Sequence, residues 1–195
     1  MTFTHNYIAA APEIFLAITS MVLLMIGVFR GNSSTRFLSY VAVLAFAVTL
    51  ALVWQGGSIS VVSFAGMYIS DSFTSFAKAM VLIASGAGLI MSQGYIKEEG
   101  MNRFEYPVLF VLATLGMMMM ISANDLISLY MGLELQSLSL YVIAAIQRDR
   151  VRSSEAGLKY FVLGALSSGL LLYGCSMIYG CAVTTQCEAL ANLFD

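Results

Sequence analysis

Six long apolar runs follow one another along the 195-residue sequence and constrain its fold more than any other feature. They cover approximately residues 8–29, 37–54, 73–96, 106–122, 126–146 and 158–179. Each is close to the ~20 residues that an α-helix needs to cross the ~30 Å hydrocarbon core of a bilayer. Because hydrocarbon offers the backbone no hydrogen-bond partners, such runs are expected to be helical. The sequence therefore predicts an all-α, polytopic transmembrane bundle of about six spans within residues 1–180, followed by a tail at 181–195.

The composition agrees with an integral membrane protein and excludes other classes. A soluble domain has roughly 45–50% apolar and about 25% charged residues, whereas this chain is 59% hydrophobic and 10% charged. Its net charge of −2 provides no polybasic surface, so a lipid bilayer and not a nucleic acid is the expected partner. Cys175, Cys181 and Cys187 follow no zinc or redox spacing, and there is one histidine. A metal site made by this chain alone is therefore not expected.

The basic residues of the connections predict an orientation in the membrane. The segments before the first span and after the second, fourth and sixth spans contain no Lys or Arg. The connections after the odd-numbered spans contain Arg30, Arg36, Lys97, Arg103, Arg148, Arg150 and Arg152. Positively charged connections remain in the cytoplasm. We therefore expect the N-terminus on the outer side of the membrane and the connections after the odd-numbered spans in the cytoplasm.

One carboxyl group stands out because it lies within a span. Glu134 is about 12 Å from the start of the fifth span at 1.5 Å per residue, a depth at which a charge costs at least ~2.5 kcal/mol. Helical spacing puts Tyr130, Ser137 and Tyr141 on the same face as Glu134. This polar stripe is expected to face the bundle interior. The default interpretation of such an acid is an ion or proton site, with a structural hydrogen-bond anchor as the alternative.

Two lysines and a second glutamate leave alternatives open. Lys159 starts the sixth span, where an interfacial and a functional role are equally acceptable; its ~16 Å of helix rise from Glu134 disfavours a direct ion pair. Lys78 lies near the start of the third span, and could pair with Glu134 if those helices touch, or with Asp71. Glu13 is interpreted as mainly structural, because a helix N-terminus favours negative charge.

Two segments of the sequence resemble a known family. These are SANDLISLYMGLELQSLSLY, at residues 122–141, and EAGLKYFVLGALSSG, at residues 155–169. Both closely resemble the subunit N family of bacterial proton-translocating NADH-quinone oxidoreductases (respiratory complex I), the counterpart of mitochondrial subunit 2. The start of the first span, with Glu13, and the segment from Asp71 to Lys78 are also similar to that family.

The resemblance implies an antiporter-like subunit of the complex I membrane arm. Such a subunit couples electron transfer from NADH to quinone, carried out in other subunits, to proton translocation. Glu134 then corresponds to the fifth-helix glutamate of the proton channel and Lys159 to a lysine with a supporting role, while Lys78 is a further candidate. Other membrane-arm subunits are the implied partners, and NADH, flavin, iron–sulfur clusters and quinone are expected on other subunits, with no cofactor on this chain. Family members are more than twice as long, so an incomplete subunit truncated after helix six is expected.

Two other functions remain open. The first is a subunit of a multi-subunit cation/proton antiporter, which shares the fold and the fifth-helix glutamate. The second is a structural membrane fragment that transports nothing. Co-purification with NADH dehydrogenase activity or with sodium/proton exchange separates the first from complex I, and a proton-flux assay separates the second.

Overall fold

The structure is a computed structural model that describes residues 9–31, 34–56, 61–100 and 102–194. Within these ranges six helices are long and apolar enough to cross a membrane, as the sequence predicts. They are α1 (Ala11–Arg30), α2 (Thr35–Gly56), α3 (Ser72–Glu98), α4 (Glu105–Ser122), α5 (Leu126–Ala144) and α6 (Val151–Ala182). Two short strands, β1 (Val61–Ser63) and β2 (Tyr68–Ser70), precede α3, and a short helix, α7 (Cys187–Phe194), follows α6. The all-α bundle is confirmed.

Local sequence signals explain where α3 and α5 begin. Asp71 caps α3: its carboxylate accepts the backbone N–H of Thr74, and the Thr74 hydroxyl accepts the N–H of Asp71. Asp125 caps α5 by accepting the backbone N–H groups of Ile127 and Ser128. Both residues satisfy helix donors that would otherwise lack partners.

Helix α4 lies at the centre of the bundle and contacts α1, α2, α3 and α5. The core is formed by apolar side chains of these helices, among them Leu16, Leu38, Leu89, Val111 and Met118, all almost fully buried. Helix α6 packs on α5 and buries little of its own surface in the described part of the chain. Helices α1, α2, α3 and α5 therefore surround α4, and α6 lies at the side of the bundle.

Strands β1 and β2 form an antiparallel hairpin, with Val61 opposite Ser70. The segment between them includes Phe64 and Ala65 in the left-handed region, with φ of 53° and 56°. From the sequence, only a connection is expected between the second and third spans, so this hairpin was not predicted.

The hairpin is fixed to two other connections at one end of the bundle, which we call the hairpin end (residues 61–70, 123–125 and 184–187). The Asn124 side chain donates to the carbonyl of Gly66 at 2.8 Å, and the Gln186 side chain donates to that of Ala65 at 2.8 Å. The Thr185 hydroxyl donates to Asp125 at 2.5 Å. At the opposite end, Arg150 and Glu99 form an ion pair at 2.8 Å and join the connections on either side of α4 and α5.

Candidate functional site

Glu134 is half-buried where α5 packs against α6. The Ser168 hydroxyl of α6 donates a hydrogen bond to its Oε1. The Tyr130 hydroxyl lies 3.1 Å from Ser168 Oγ. Because a serine carries a single hydroxyl hydrogen, Tyr130 is the donor in this second contact. Tyr130, Glu134 and Ser168, the Glu134 cluster, thus form a chain of exchangeable protons that ends on a carboxyl group.

The polar stripe of α5 faces α6 because α6 presents small residues there. The Tyr141 ring occupies the space in front of Gly164, where any side chain would collide with it. The same ring makes edge-on contacts with Tyr160 and Phe161, with centroids 4.7 and 5.8 Å away. Small residues allow two helices to approach closely in a membrane, and here they bring Ser168 to Glu134.

Lys159 does not reach Glu134. Its ammonium pairs with Glu155 on the preceding turn of α6 at 2.5 Å, and its side chain is 69% exposed. The structure is consistent with the expected lack of a direct ion pair between Lys159 and Glu134. A functional role for Lys159 stays a prediction.

Lys78 pairs with a residue that the sequence analysis did not consider as its partner. Its Nζ lies 2.6 Å from Oε1 of Glu13, and the two side chains are only 3% and 8% exposed. Both partners considered for Lys78 are wrong: Asp71 caps α3, and Glu134 is engaged by α6. Glu13 is also more than a helix-start residue, because it carries one half of a buried ion pair. The available signal was that Glu13 and Lys78 lie at similar depths from the same predicted face of the membrane.

Tyr68, from β2, completes this second group of polar side chains. Lys78 Nζ donates to the Tyr68 hydroxyl at 2.9 Å, and that hydroxyl lies 3.0 Å from both Oε2 of Glu13 and the carbonyl of Ala9. Burial, and then the charge of Glu13, raise the pKa of Tyr68 well above its usual range, so the hydroxyl keeps its hydrogen. We call Glu13, Tyr68 and Lys78 the Lys78 cluster.

The two clusters are built on different elements. The Glu134 cluster lies between α5 and α6, whereas the Lys78 cluster joins α1, α3 and the hairpin. In the described ranges, no three His, Cys, Asp or Glu side chains are grouped so that they could hold a metal ion. The side chains of both clusters are carboxyl, amine and hydroxyl groups, which can bind and transfer protons.

Comparison with known proteins identifies relatives of the whole chain. Residues 123–195 match the family model described as NADH:quinone oxidoreductase/Mrp antiporter, TM. NADH-quinone oxidoreductase subunit N of Paramagnetospirillum magneticum is 54% identical over 98% of this chain and 39% of its own length. Subunit N of Rhodospirillum rubrum is 53% identical over 99% of this chain and 40% of its own length.

Solved structures give the same fold. A chain of respiratory complex I from Thermus thermophilus with bound aureothin superposes with a TM-score of 0.74 at 27% identity, covering 90% of this chain and 38% of that one. A chain of the membrane-bound sulfane sulfur reductase, an archaeal respiratory membrane complex, superposes with a TM-score of 0.73 at 21% identity, over 95% and 39% of the two chains. The second likeness shows the fold alone.

The sequence resemblance is thereby confirmed. The chain is a membrane protein closely related to NADH-quinone oxidoreductase subunit N, and it spans about two fifths of the length of the curated relatives that it matches.

Proposed function

We propose that this chain is part of an antiporter-like membrane-arm subunit of NADH-quinone oxidoreductase. In this role it takes part in proton translocation that is driven by electron transfer from NADH to quinone in other subunits. The proposal is supported by the identity of above 50% to subunit N relatives over almost the whole chain. It implies that the partners are other subunits of the membrane arm, and that flavin, iron–sulfur clusters, NADH and quinone bind elsewhere in the complex.

The single observation that carries the proposal is the position of Glu134. The residue lies within an apolar span, inside the segment matched by the family model, and a serine hydroxyl of the neighbouring helix contacts its carboxyl group. An acid at this depth costs at least ~2.5 kcal/mol. A role in proton transfer explains why an acid is kept at this depth. The carboxyl group of Glu134 would gain and lose a proton there, with Ser168 and Tyr130 as relay groups. Lys159, near the charged end of α6, has a supporting role in drawing protons towards that end.

We further propose that the hairpin end faces the periplasm across a bacterial inner membrane. The charged connections favour this orientation, and the ion pair between Arg150 and Glu99 joins two of those connections on one face. Proton uptake would then occur from the side of Lys159, and release towards the hairpin end.

The test replaces Glu134 by Gln in the assembled complex and measures proton pumping and NADH-quinone activity in membrane vesicles. Because glutamine has nearly the same shape but cannot carry the proton, pumping should fall strongly while assembly is retained. Glu98→Gln, at the exposed last residue of α3, is the matched control and should pump normally. Normal pumping by Glu134→Gln would overturn the proposed role.

A second candidate function is favoured by one observation, the family model's own description, which includes Mrp antiporters. Purification of the native assembly distinguishes the two. NADH-quinone activity in the purified assembly supports the complex I proposal, whereas sodium/proton exchange without that activity supports an antiporter subunit. If neither activity accompanies the chain, it acts as a structural membrane component.

A further inference from the structure

The Lys78 cluster lies outside the segment that the family model matches, and the role proposed for Glu134 does not use it. Glu13 and Lys78 are nevertheless among the most deeply buried charged side chains in the described part of the chain. A buried ion pair is a poor device for stability, since taking both charges out of water often outweighs their attraction, and apolar replacements are often as stable. The pair therefore calls for a function other than holding the helices together.

The geometry allows a proton to move within the pair. Nζ of Lys78 lies 2.6 Å from Oε1 of Glu13, a distance that a proton crosses once a small rotation of either side chain aligns an N–H bond of Lys78 with that oxygen. In this step an N–H bond of the ammonium breaks and an O–H bond forms on Glu13. A neutral amine and a neutral carboxylic acid result, and no electron is transferred.

Tyr68 can serve both forms of the pair. Its hydroxyl accepts a hydrogen bond from Lys78 and has two acceptors within reach, Oε2 of Glu13 and the carbonyl of Ala9, each at 3.0 Å. A tyrosine has one hydrogen to donate. It can point to Glu13 when that residue is a carboxylate, and turn to Ala9 when Glu13 is protonated. Because its raised pKa keeps the hydroxyl neutral, Tyr68 does not compete for the proton.

We propose that Glu13 and Lys78, covered by Tyr68 of the hairpin, form a second proton-exchange site at the hairpin end of the bundle. This inference rests on the proposed function, because the reaction it serves is proton translocation. The pair takes up a proton when the neutral amine is re-protonated, and releases one when the carboxylic acid ionises. Since the hairpin supplies Tyr68, movement of the hairpin would change which of the two forms is favoured.

The surrounding elements supply no other described group that would neutralise the pair. Asp71, at the start of α3, is occupied as a helix cap. Asp125, at the start of α5, caps that helix and accepts the hydroxyl of Thr185. Helix α4 brings the uncharged hydroxyl of Ser122 towards Tyr68. The proton balance of the site is therefore set by Glu13 and Lys78, with Tyr68 between them.

The decisive experiment removes both charges together. In the assembled complex, Glu13→Gln combined with Lys78→Met leaves no unpaired buried charge, so the double variant should fold and assemble. If the pair only fastens α1 to α3, the double variant pumps protons like the unmodified complex, and the proposal is overturned. If the pair exchanges protons, pumping is lost or its pH profile shifts while assembly and NADH-quinone activity with an uncoupler are retained.

Two further measurements keep the inference independent of the role of Glu134. Infrared difference spectra of the purified complex across a pH titration should contain a protonated-carboxyl band that disappears in Glu13→Gln and persists in Glu134→Gln. Absence of such a band overturns the second site alone. Tyr68→Phe, which keeps the ring but removes the hydroxyl, should shift the pH at which this band appears; an unchanged titration contradicts the part assigned to Tyr68. Should Glu134→Gln pump normally while the Glu13 band is present, the proposed role of Glu134 fails and the second site stands.

Discussion

The charged side chains of the two clusters and Lys159 each have a partner close by. Glu13 pairs with Lys78, Lys159 with Glu155, and Glu134 accepts a hydrogen bond from Ser168. These pairs differ in exposure: the first is buried and the second is largely exposed. An exposed ion pair contributes little to stability because water screens it. In a buried pair, by contrast, the transfer of a proton changes the charges inside the protein. The buried pair and Glu134 are therefore the positions where substitution should affect function.

Ser168→Ala should weaken proton transfer at Glu134. The change removes the hydroxyl that donates to the carboxylate, and a hydrogen bond to a charged group contributes about 1.5–3 kcal/mol. Pumping should therefore slow, with a loss smaller than that of Glu134→Gln. The measurement is the pumping rate in vesicles as a function of pH. Ser167→Ala, at an exposed neighbouring site, is the control, and an equal effect of both variants would contradict this role of Ser168.

The sequence was sufficient to predict which residues of one helix share a face. Tyr130, Glu134 and Tyr141 follow from the helical repeat alone, and all three contact α6. The partner of Lys78 could not be found in this way. It depends on how α1, α3 and the hairpin pack together, which no spacing within a single helix determines.

The same dependence on contacts between distant segments explains which secondary-structure elements could be predicted from the sequence. Each long helix is set by its own apolar run, and α3 and α5 also by their N-caps, so the sequence predicts all six spans. The hairpin has strands of three residues only, and Phe64 and Ala65 adopt left-handed conformations that glycine or asparagine would normally signal. It forms because Asn124 and Gln186, distant in sequence, hydrogen-bond its carbonyl groups.

The contact between α4 and α5 depends on a glycine. A Cβ at Gly116 would lie 2.6 Å from the backbone nitrogen of Gln136 and 2.7 Å from the carbonyl oxygen of Gly132, so Gly116→Ala forces the helices apart. Overpacking of this kind costs about 1–3 kcal/mol, and the thermal midpoint of the purified protein should fall. Gly94→Ala is the control, because a Cβ there meets nothing within 4 Å. A helical alanine in place of glycine should raise stability by up to about 1 kcal/mol at such a site. Equal midpoints for the two variants would refute the close contact.

Asp125 has two structural tasks at the start of α5. It caps the helix and accepts the hydroxyl of Thr185, which fixes the connection that precedes α7. Asp125→Ala should cost about 0.5–2 kcal/mol through the cap alone. It should also speed hydrogen exchange of the Cys187 amide, which donates to the carbonyl of Asn124. Thr185→Val removes only the second contact, so it should speed that exchange without the full loss of stability. Unchanged exchange in both variants would show that the connection is held in another way.

At the scale of the whole molecule, the structure has two chemically different ends. The hairpin end holds its connections together by hydrogen bonds, and the opposite end holds them by charged groups such as Arg150 and Glu99. The Lys78 cluster lies at the first end and Lys159 near the second. A proton moving between the two faces would therefore meet an amine or a carboxyl group near each end, with Glu134 between them.

The native cysteines allow the proposed orientation to be measured. Cys187 is exposed at the hairpin end, so in a variant that retains only this cysteine a membrane-impermeant maleimide should label intact cells from outside. A cysteine introduced by Val151→Cys, at an exposed position of the opposite end, should be labelled only after the cells are opened. The reverse pattern would invert the orientation, and with it the proposed direction of proton movement.

The pH dependence of the same reaction tests the local structure around Cys187. Burial, and then the charge of Asp125, raise the pKa of the Cys187 thiol above its ordinary value. Only the thiolate reacts with maleimide, and both causes disfavour the thiolate. Labelling should therefore be slower at neutral pH than that of a free thiol of ordinary pKa, and should reach its maximal rate only at a higher pH. In Asp125→Asn, which removes the neighbouring charge, the labelling rate should increase at a lower pH than in the unmodified protein. A profile that coincides with the free thiol in the unmodified protein would mean that Cys187 does not lie against Asp125 in the membrane.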